Sequence, residues 1–524
     1  MKKIIILISA LLLVVASMAY LYFSKLSTDN NAKDLALQSA TNNAALFFAF
    51  ENDKSFYDII EGQNLIQQVL GTQKTKLLND LKESIINKPA FNNFIKDQQI
   101  YLSVLPDSNK TLNFLVTVQI QNEKNIKQFY DQLKTNGAIN KNDTGSNIFS
   151  LKLNDSTSIF IGIENKVITA STSLKLVKNA EVRMAENPFT EYIKENNRFN
   201  KNVLAHIYIN FNQAPALLKN IIAGNINGEI ALFNKQNSFA VLNYNFSKER
   251  ILFNGTTELK STDNYLKLFE NIPPQNIFIT NVLPDNTANY VLYAIDDYKT
   301  WLPKLNKWLT DKNEADKTSK VIQKVKSEYR TDLNTIFPVY TKNQFIVFQL
   351  STAEKLGAIA LTNGEKVKQL LLDLSAEYNE NIKLFKSSDI LYAFFGEPFK
   401  NFSRPYYTII DNHLIVANNA STVQSFLNHY KNDQLLMQMP QYIDALNQIS
   451  NTSNISYYIN TKNSTDIFRS NILLPFYKHL RADSALKNFD TFYYQMSTDR
   501  NKFITNMLLN KYLKIKIPDS LNNR

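Results

Sequence analysis

Two short stretches of this chain repeat one pattern: Ile163 to Ser171 reads IENKVITAS, and Ile410 to Asn418 reads IDNHLIVAN. In each stretch a hydrophobic run leads into an acidic residue and Asn, and alternation of apolar and polar residues then resumes. An acidic residue followed by Asn between two alternating runs is a turn signal. The pattern therefore predicts a β-hairpin in each stretch, followed by the start of a helix.

Segments on both sides of these hairpins also occur twice. EKNIKQFYDQL, which begins at Glu123, aligns with EKVKQLLLDL, which begins at Glu365, and both are predicted helices. A second short helix is predicted in each repeat, from Pro188 and from Pro440, because proline suits the first turn of a helix. The strand pattern at 206–210 aligns with that at 456–460. The sequence therefore predicts an α+β fold that is a tandem duplication of two homologous lobes. Each lobe is expected to have mainly antiparallel sheets packed against helices, behind an N-terminal transmembrane helix.

The predicted boundaries follow these landmarks. Apolar residues at three- and four-residue spacing predict long amphipathic helices within 65–86 and 302–329. The proline pair at 273–274 marks a break between the repeats. The predicted units are a transmembrane anchor or signal peptide at 1–25, a stalk at 26–40, a first α+β repeat at 41–265, a linker at 266–282, a second α+β repeat at 283–515 and a tail at 516–524.

The first segment predicts attachment to a membrane. Lys2 and Lys3 precede an apolar run from Ile4 to Phe23, which as a helix matches the thickness of a bilayer core, about 30 Å. Basic residues before the run favour a cytoplasmic N-terminus, and hence a single-pass protein of the bacterial inner membrane with an extracytoplasmic, periplasmic body. The alternative is a cleaved signal peptide that ends near Ala19, which would release a soluble exported form.

The composition argues against several function classes. The net charge is +11 and the pI is about 9.2, but basic and acidic residues alternate, as in Asp311 to Arg330, so nucleic acid is not a predicted partner. The chain has no cysteine, and its four histidines form no metal-binding helix pair. Glycine is scarce, and no phosphate-binding loop motif is present.

One acidic pair is the strongest candidate for catalysis. Asp296 and Asp297 follow a predicted strand and precede Trp301. Two carboxylates beside an exposed aromatic ring are typical of glycan hydrolases. The alternative is that an acidic side chain caps the helix that begins there. The first repeat has Glu51 in the corresponding place, which favours the structural interpretation.

Other candidate residues have equally simple structural explanations. Glu164 and Asp411 fit ordinary turn positions, and His413, a candidate base beside Asp411, is aligned with Lys166 in the other repeat. His206 fits a polar position in a strand. Aromatic strand pairs predict either cross-strand packing or a groove for lipid or glycan; they are Tyr406-Tyr407, Tyr457-Tyr458 and Phe492-Tyr493-Tyr494.

The second repeat resembles a known family at its start. Leu283-Pro284-Asp285-Asn286-Thr287 precedes an apolar strand that ends at Asp296-Asp297. This arrangement resembles a domain-of-unknown-function family of membrane-anchored extracytoplasmic bacterial proteins, whose units open with Leu-Pro-x-x-Thr. The first repeat offers only Ser39-Ala40-Thr41 and two asparagines at this place. The resemblance implies no functional residues.

Taken together, the sequence predicts a scaffold or binding protein of the bacterial cell envelope that is not an enzyme. It predicts no catalytic, cofactor-binding or metal-binding residues and no cofactor. The predicted partners are the membrane, through the N-terminal helix, and an envelope protein, a glycan or a lipid. The alternatives are an envelope hydrolase that acts on glycan or peptide through carboxylates, and a carrier of apolar ligands.

Overall fold

The structure is a computed structural model, and it describes most of the chain between residues 34 and 512. Within that range the residues not described are 43, 53–56, 58–74, 78, 81, 84–86, 97, 108–110, 121–122, 141–146, 155–156, 181–186, 197–204, 225–236, 247–249 and 482–485. The predicted anchor and the predicted tail therefore lie outside the described residues, as does most of the helical zone predicted at 65–86. Among the described residues, no helix combines the length and apolar character needed to cross a membrane.

Antiparallel strands dominate both halves of the chain. The first half contains β1 Leu46–Glu51, β2 Gln99–Asp107, β3 Thr111–Gln119, β4 Ile139–Asn140, β5 Ile148–Lys152, β6 Ser158–Glu164, β7 Val167–Ser171, β8 His206–Asn210, β9 Ser238–Phe246 and β10 Arg250–Leu259. The remaining strands are β11 Gln275–Asn276, β12 Thr287–Ala294, β13 Thr341–Leu350, β14 Lys355–Leu361, β15 Ser375–Glu377, β16 Lys383–Phe385, β17 Tyr406–Ile410, β18 His413–Ala417, β19 Thr452–Ser453, β20 Ile455–Asn460, β21 Thr491–Asp499 and β22 Lys502–Asn510.

All but two of these strands form one continuous sheet. Its first half runs β4-β5-β6-β7-β3-β2-β1-β8-β9-β10. Its second half runs β22-β21-β20-β12-β13-β14-β18-β17-β16-β15. The halves meet where β10 pairs with β22, and we call this junction the seam. β11 and β19 form a separate pair.

Helices pack on this sheet, which confirms the predicted α+β class. They are α1 Leu35–Thr41, α2 Pro89–Ile95, α3 Glu123–Thr135, α4 Leu174–Ala180, α5 Pro188–Asn196, α6 Ala214–Leu218, α7 Tyr298–Asp311, α8 Ala315–Tyr329, α9 Leu333–Tyr340, α10 Gly364–Leu370, α11 Ile390–Phe395, α12 Ala420–Lys431, α13 Pro440–Leu446, α14 Thr465–Asn471 and α15 Leu474–Arg481. The helices predicted from Glu123, Pro188, Glu365 and Pro440 are present, and the charged stretch 311–330 forms α8.

The two predicted hairpins are present, and their turns explain the repeated phrase. β6 and β7 are joined by Asn165 and Lys166, both with positive φ, and β17 and β18 by Asp411 and Asn412, also with positive φ. Two-residue turns of this kind match the twist of antiparallel strands, and Asn tolerates the left-handed conformation that they need. The Asn in each phrase therefore fixes the turn.

The two faces of the sheet carry different cores. Because side chains alternate between faces along a strand, neighbouring residues go to different cores. Ile207 and Tyr494 belong to a core that draws on both halves of the chain, and we call it the shared core. On the opposite face Tyr208 belongs to a first-half core and Tyr493 to a second-half core. A further core around Phe129 lies under α2 and α3.

Two ranges expected to lie outside the lobes are in fact packed against them. Asp34 caps α1, and Ala36 and Leu37 are buried in the first-half core, so the last part of the predicted stalk is a core helix. Within the predicted linker, Phe269 and Ile279 are fully buried. Both segments follow polar or proline-rich stretches, and the burial of their few apolar residues outweighs that local pattern.

Candidate functional site

The seam holds the two halves together through a long antiparallel pairing. Arg250 pairs with Asn510, and the register runs on to Thr257 opposite Phe503. At the middle of this ladder Asn254 lies directly opposite Asn506. Residues that lie opposite each other in adjacent antiparallel strands point to the same face, so the two amides are neighbours.

The same register extends across the central six strands as a line of polar residues, which we call the seam row. Each of the six strands contributes one uncharged polar residue, and this residue lies directly opposite the one contributed by the neighbouring strand. The seam row consists of His206, Asn243, Asn254, Asn506, Gln495 and Ser456. All six lie on the face that carries the first-half and second-half cores, in the interval between those two cores.

Hydrogen bonds connect much of the seam row. Nδ2 of Asn254 donates to Oδ1 of Asn506 at 2.6 Å, and Nδ2 of Asn506 reaches Oε1 of Gln495 at 3.5 Å. Nδ1 of His206 lies 2.9 Å from Oδ1 of Asn243. Beside the row, exposed Asn245 donates to Oδ1 of Asn254 at 2.7 Å. The pairs fix the orientation of the amides, so the row presents donors and acceptors in a set order.

Exposure divides the seam row into a surface centre and buried ends. Asn254 and Asn506 are partly exposed, whereas His206 and Gln495 are buried. Next to the centre, Ile504 leaves 45% of its surface exposed although it sits in a strand. An apolar side chain beside exposed amides is a surface that suits a neutral ligand with hydrogen-bonding groups.

Burial sets the charge state of the row. Removal of His206 from water lowers the pKa of its imidazole, and the contact with Asn243 opposes that shift without reversing it. The imidazole is therefore neutral at neutral pH, and the other members of the row are amides and a hydroxyl. The row can therefore bind a ligand through hydrogen bonds.

The shared-core face of the seam is closed and tightly packed. Oγ1 of Thr257 lies 2.7 Å from Oγ1 of Thr505 and 3.2 Å from the hydroxyl of Tyr494. A Cβ added to Gly255 would lie 1.9 Å from the carbonyl oxygen of Val241 on the neighbouring strand. Glycine is therefore required where β9 and β10 approach most closely.

The acidic pair at 296–297 has a structural role. Oδ2 of Asp297 accepts a hydrogen bond from the backbone N–H of Thr300 at 3.1 Å and caps α7. Asp296 accepts from the backbone N–H of Asp297. Trp301 is fully buried in the shared core, so its ring is not available to stack on a sugar. The structure therefore gives no support to a carboxylate site at this place.

The hairpin candidates are also explained locally, with one correction. Lys166 occupies the turn itself, whereas His413 begins the strand β18, so the strand pairing aligns His413 with Val167 and not with Lys166. The cause is that Asn stands first in one turn and second in the other. Oδ2 of Asp411 accepts a hydrogen bond from Tyr430, and burial lowers the pKa of His413.

The aromatic residues of the central strands pack against one another, which is the first of the two alternatives that the sequence left open. The hydroxyl of Tyr290 lies 2.9 Å from that of Tyr442 and 3.0 Å from that of Tyr493, and Tyr458 stacks on Tyr290 with ring centroids 5.0 Å apart. All four are buried, and desolvation raises the pKa of each phenol. In the first half Tyr208 stacks on a phenylalanine in the same way. These rings fill the space in which a carrier would need a hollow.

Within the described part of the chain, no three acidic or histidine residues lie close enough together to hold a metal ion. The seam row was missed by sequence reasoning because Asn and Gln within strands carry no functional motif. The only signal is the unusual density of asparagine at 243, 245 and 254, within strands whose other residues are mostly apolar.

Comparison with known proteins adds little. No family model matches the chain, and no curated protein matches its sequence. One solved structure, described as "Structure of crystal form IV of TP0453", is 10% identical to this chain, with 46% of this chain and 86% of that chain covered and a TM-score of 0.24. A TM-score this low does not establish a common fold.

Proposed function

We propose that the two halves of the sheet are a tandem duplication related by a pseudo-twofold axis at the seam. Counted outward from the seam, equivalent strands follow one another in the same order in both halves. Asn254 pairs with Asn506 across the seam. On the next strand of each half, Asn243 lies opposite Asn254 and Gln495 lies opposite Asn506. The counterparts Asn254 and Asn506 are 252 positions apart in the sequence, and so are Asn243 and Gln495. A residue that pairs with its own counterpart is what a twofold axis between homologous strands requires.

A second contact supports the same symmetry. Ile222 and Ile472 form an isolated antiparallel bridge between the connections that follow β8 and β20. These residues are 250 positions apart, which is also the separation of Tyr208 and Tyr458 in the strands that precede them. The two connections therefore meet at equivalent positions.

For this architecture we propose a non-enzymatic scaffold or binding protein of the bacterial envelope, anchored by residues 4–23. The seam row carries the proposal, because it is a neutral, hydrogen-bonding surface with an exposed apolar neighbour at the junction of the two halves. The chemistry favours an uncharged polar ligand surface, such as the backbone of a partner protein or a glycan. The resemblance of the segment that begins at Leu283 to a domain-of-unknown-function family stays a prediction.

The alternatives draw less support from the described residues. A carboxylate hydrolase would need Asp296 and Asp297 aimed at a cleft, but Asp297 caps a helix and Trp301 is buried. An apolar carrier would need space among the aromatic strands, but Tyr290 and its neighbours are in ring contact. Neither alternative accounts for the seam row.

The test is recovery of a bound partner from native membranes. The full chain, tagged at Arg524, is solubilised in detergent and isolated, and bound proteins and glycans are identified by mass spectrometry. Ile504→Arg places a long charged side chain beside the seam row at a surface position. Val339→Arg is the matched control, because Val339 is equally exposed at 46% but lies in α9.

We expect a stoichiometric partner that is retained by Val339→Arg and lost by Ile504→Arg. Both variants should fold, since neither side chain is buried. A partner that binds both variants equally would place the binding surface elsewhere on the body. A wild-type protein with no bound protein or glycan would overturn the scaffold proposal.

A further inference from the structure

One pair of helices in the second half contributes nothing to the core. α14 and α15 follow β20 and are connected by a two-residue turn at 472–473. Neither helix contains a buried residue. By contrast, each of the helices from α7 to α13 places at least one side chain in the interior.

The exposed pair is nevertheless rich in apolar residues. Leu474 leaves 61% of its surface exposed, which is among the largest values for an apolar side chain in the described residues. Pro475 beside it is also exposed, whereas Phe468, Phe476 and Tyr477 are partly buried. Clustered apolar side chains of this kind on a surface usually mark a contact with another body.

The charge of the pair has one sign. Between 461 and 481 the basic residues Lys462, Arg469, Lys478 and Arg481 face a single acidic residue, Asp466, which gives a net charge of +3. In α15 the basic residues occupy the last turn, where they also suit the helix dipole. The pair therefore combines exposed apolar side chains with a cationic rim.

Backbone contacts hold the pair in place without using its side chains. The N–H of Leu473 donates to the carbonyl of Ile221 at 2.8 Å, and the N–H of Ala223 donates to the carbonyl of Asn471 at 2.9 Å. Before α14, the hydroxyl of Ser464 donates to the carbonyl of Ala288 at 2.9 Å and is buried. The pair is therefore fixed to the body at its start and at its turn, while Leu474 and Pro475 at the beginning of α15 stay exposed.

We propose that α14 and α15 form a docking surface for an anionic phospholipid bilayer. Amphipathic helices with cationic and apolar residues lie in the interface of such bilayers, and each Lys or Arg near an anionic surface strengthens the attraction. Four exposed basic residues and the exposed Leu474 and Pro475 supply both contributions. A second copy of the chain is a poorer occupant, because two surfaces of charge +3 on chains of charge +11 repel each other.

The absence of cysteine allows a direct test. The full chain carrying Leu474→Cys is labelled with an environment-sensitive fluorophore and reconstituted into phosphatidylcholine vesicles, with or without phosphatidylglycerol. Tyr378→Cys is the matched control, because Tyr378 is 60% exposed and lies at the far edge of the sheet beside β15. We expect emission from position 474 to shift to shorter wavelength only with phosphatidylglycerol, and emission from position 378 to stay unchanged.

Charge reversal completes the experiment. Lys478→Glu with Arg481→Glu changes the net charge of the pair from +3 to −1 and should abolish the shift, as should high salt. Circular dichroism and gel filtration in detergent check that the variant keeps its fold. An unchanged emission at position 474 with phosphatidylglycerol would overturn the proposal. So would a shift that follows protein concentration and ignores lipid charge, because that behaviour belongs to self-association.

Discussion

Replacement of Gly255 by alanine should destabilise the whole protein, because this residue lies where the two halves of the sheet are joined. The added Cβ would lie 1.9 Å from the carbonyl oxygen of Val241 and 2.8 Å from the Cα of Leu242. Both atoms belong to the backbone of β9, so no side-chain rotation relieves the contact. The strands β9 and β10 must therefore separate or twist at this point.

The expected cost follows from that geometry. Real Cβ atoms essentially never approach another atom more closely than 3.0 Å, so β9 and β10 must move apart by about 1.1 Å. Overpacking of this kind costs about 1–3 kcal/mol, and each weakened backbone hydrogen bond adds about 1 kcal/mol. The lower conformational entropy of unfolded alanine returns about 0.4–1 kcal/mol. With one hydrogen bond weakened, the free energy of unfolding should therefore fall by about 1–4 kcal/mol.

Urea unfolding of the full chain in detergent measures this effect through tryptophan fluorescence. Gly224→Ala is the matched control, because nothing lies within 4 Å of its added Cβ and its φ is not positive. We expect a lower unfolding midpoint for Gly255→Ala and an unchanged midpoint for Gly224→Ala. Equal midpoints for Gly255→Ala and the wild type would refute the close approach of β9 and β10.

Three other perturbations test the cores and the seam row. Trp301→Ala should reduce the free energy of unfolding by about 3–5 kcal/mol, because the ring is fully buried, and urea titration measures the loss. Tyr493→Phe should reduce the free energy of unfolding by about 0.5–1.5 kcal/mol, because the hydroxyl contact with Tyr290 is lost. Tyr208→Phe should leave the free energy of unfolding unchanged, because the buried hydroxyl of Tyr208 has no partner among the described residues. Urea unfolding curves of the two variants compare these effects. Burial lowers the pKa of His206, so the unfolded chain binds a proton more readily. Stability should therefore fall as the pH drops below the ordinary histidine pKa of about 6.5, and this fall should be smaller in His206→Gln; an identical pH dependence would contradict a buried, neutral imidazole.

Much of the local structure was predictable from the sequence. The hairpins at 163–171 and 410–418, the strands that surround them and the helices from Glu123 and Pro440 are confirmed, because their patterns depend on neighbouring residues. The helix at Leu35 was not predicted, since it is short and its burial depends on β2 and β3, far along the chain.

The candidate site was not predictable in the same way. The seam row exists only because β10 pairs with β22 in one register, and a shift of one residue would turn Asn254 and Asn506 to opposite faces. A sequence specifies such a long-range register through the packing of both faces, which no local pattern reports. The turn between β6 and β7 was misaligned with its counterpart for a local reason, because Asn stands first in that turn and second in the turn between β17 and β18.

The pairing of β10 with β22 also imposes an order on folding. β10 ends at Leu259, whereas β22 begins at Lys502, so its partner emerges 243 residues later during synthesis. At a synthesis rate of about 5–20 residues per second, the outer edge of β10 stays unpaired for roughly 12–50 seconds. An open strand edge is a template for pairing with another chain. A nascent chain interrupted before Lys502 is therefore an aggregation hazard and not a smaller working protein.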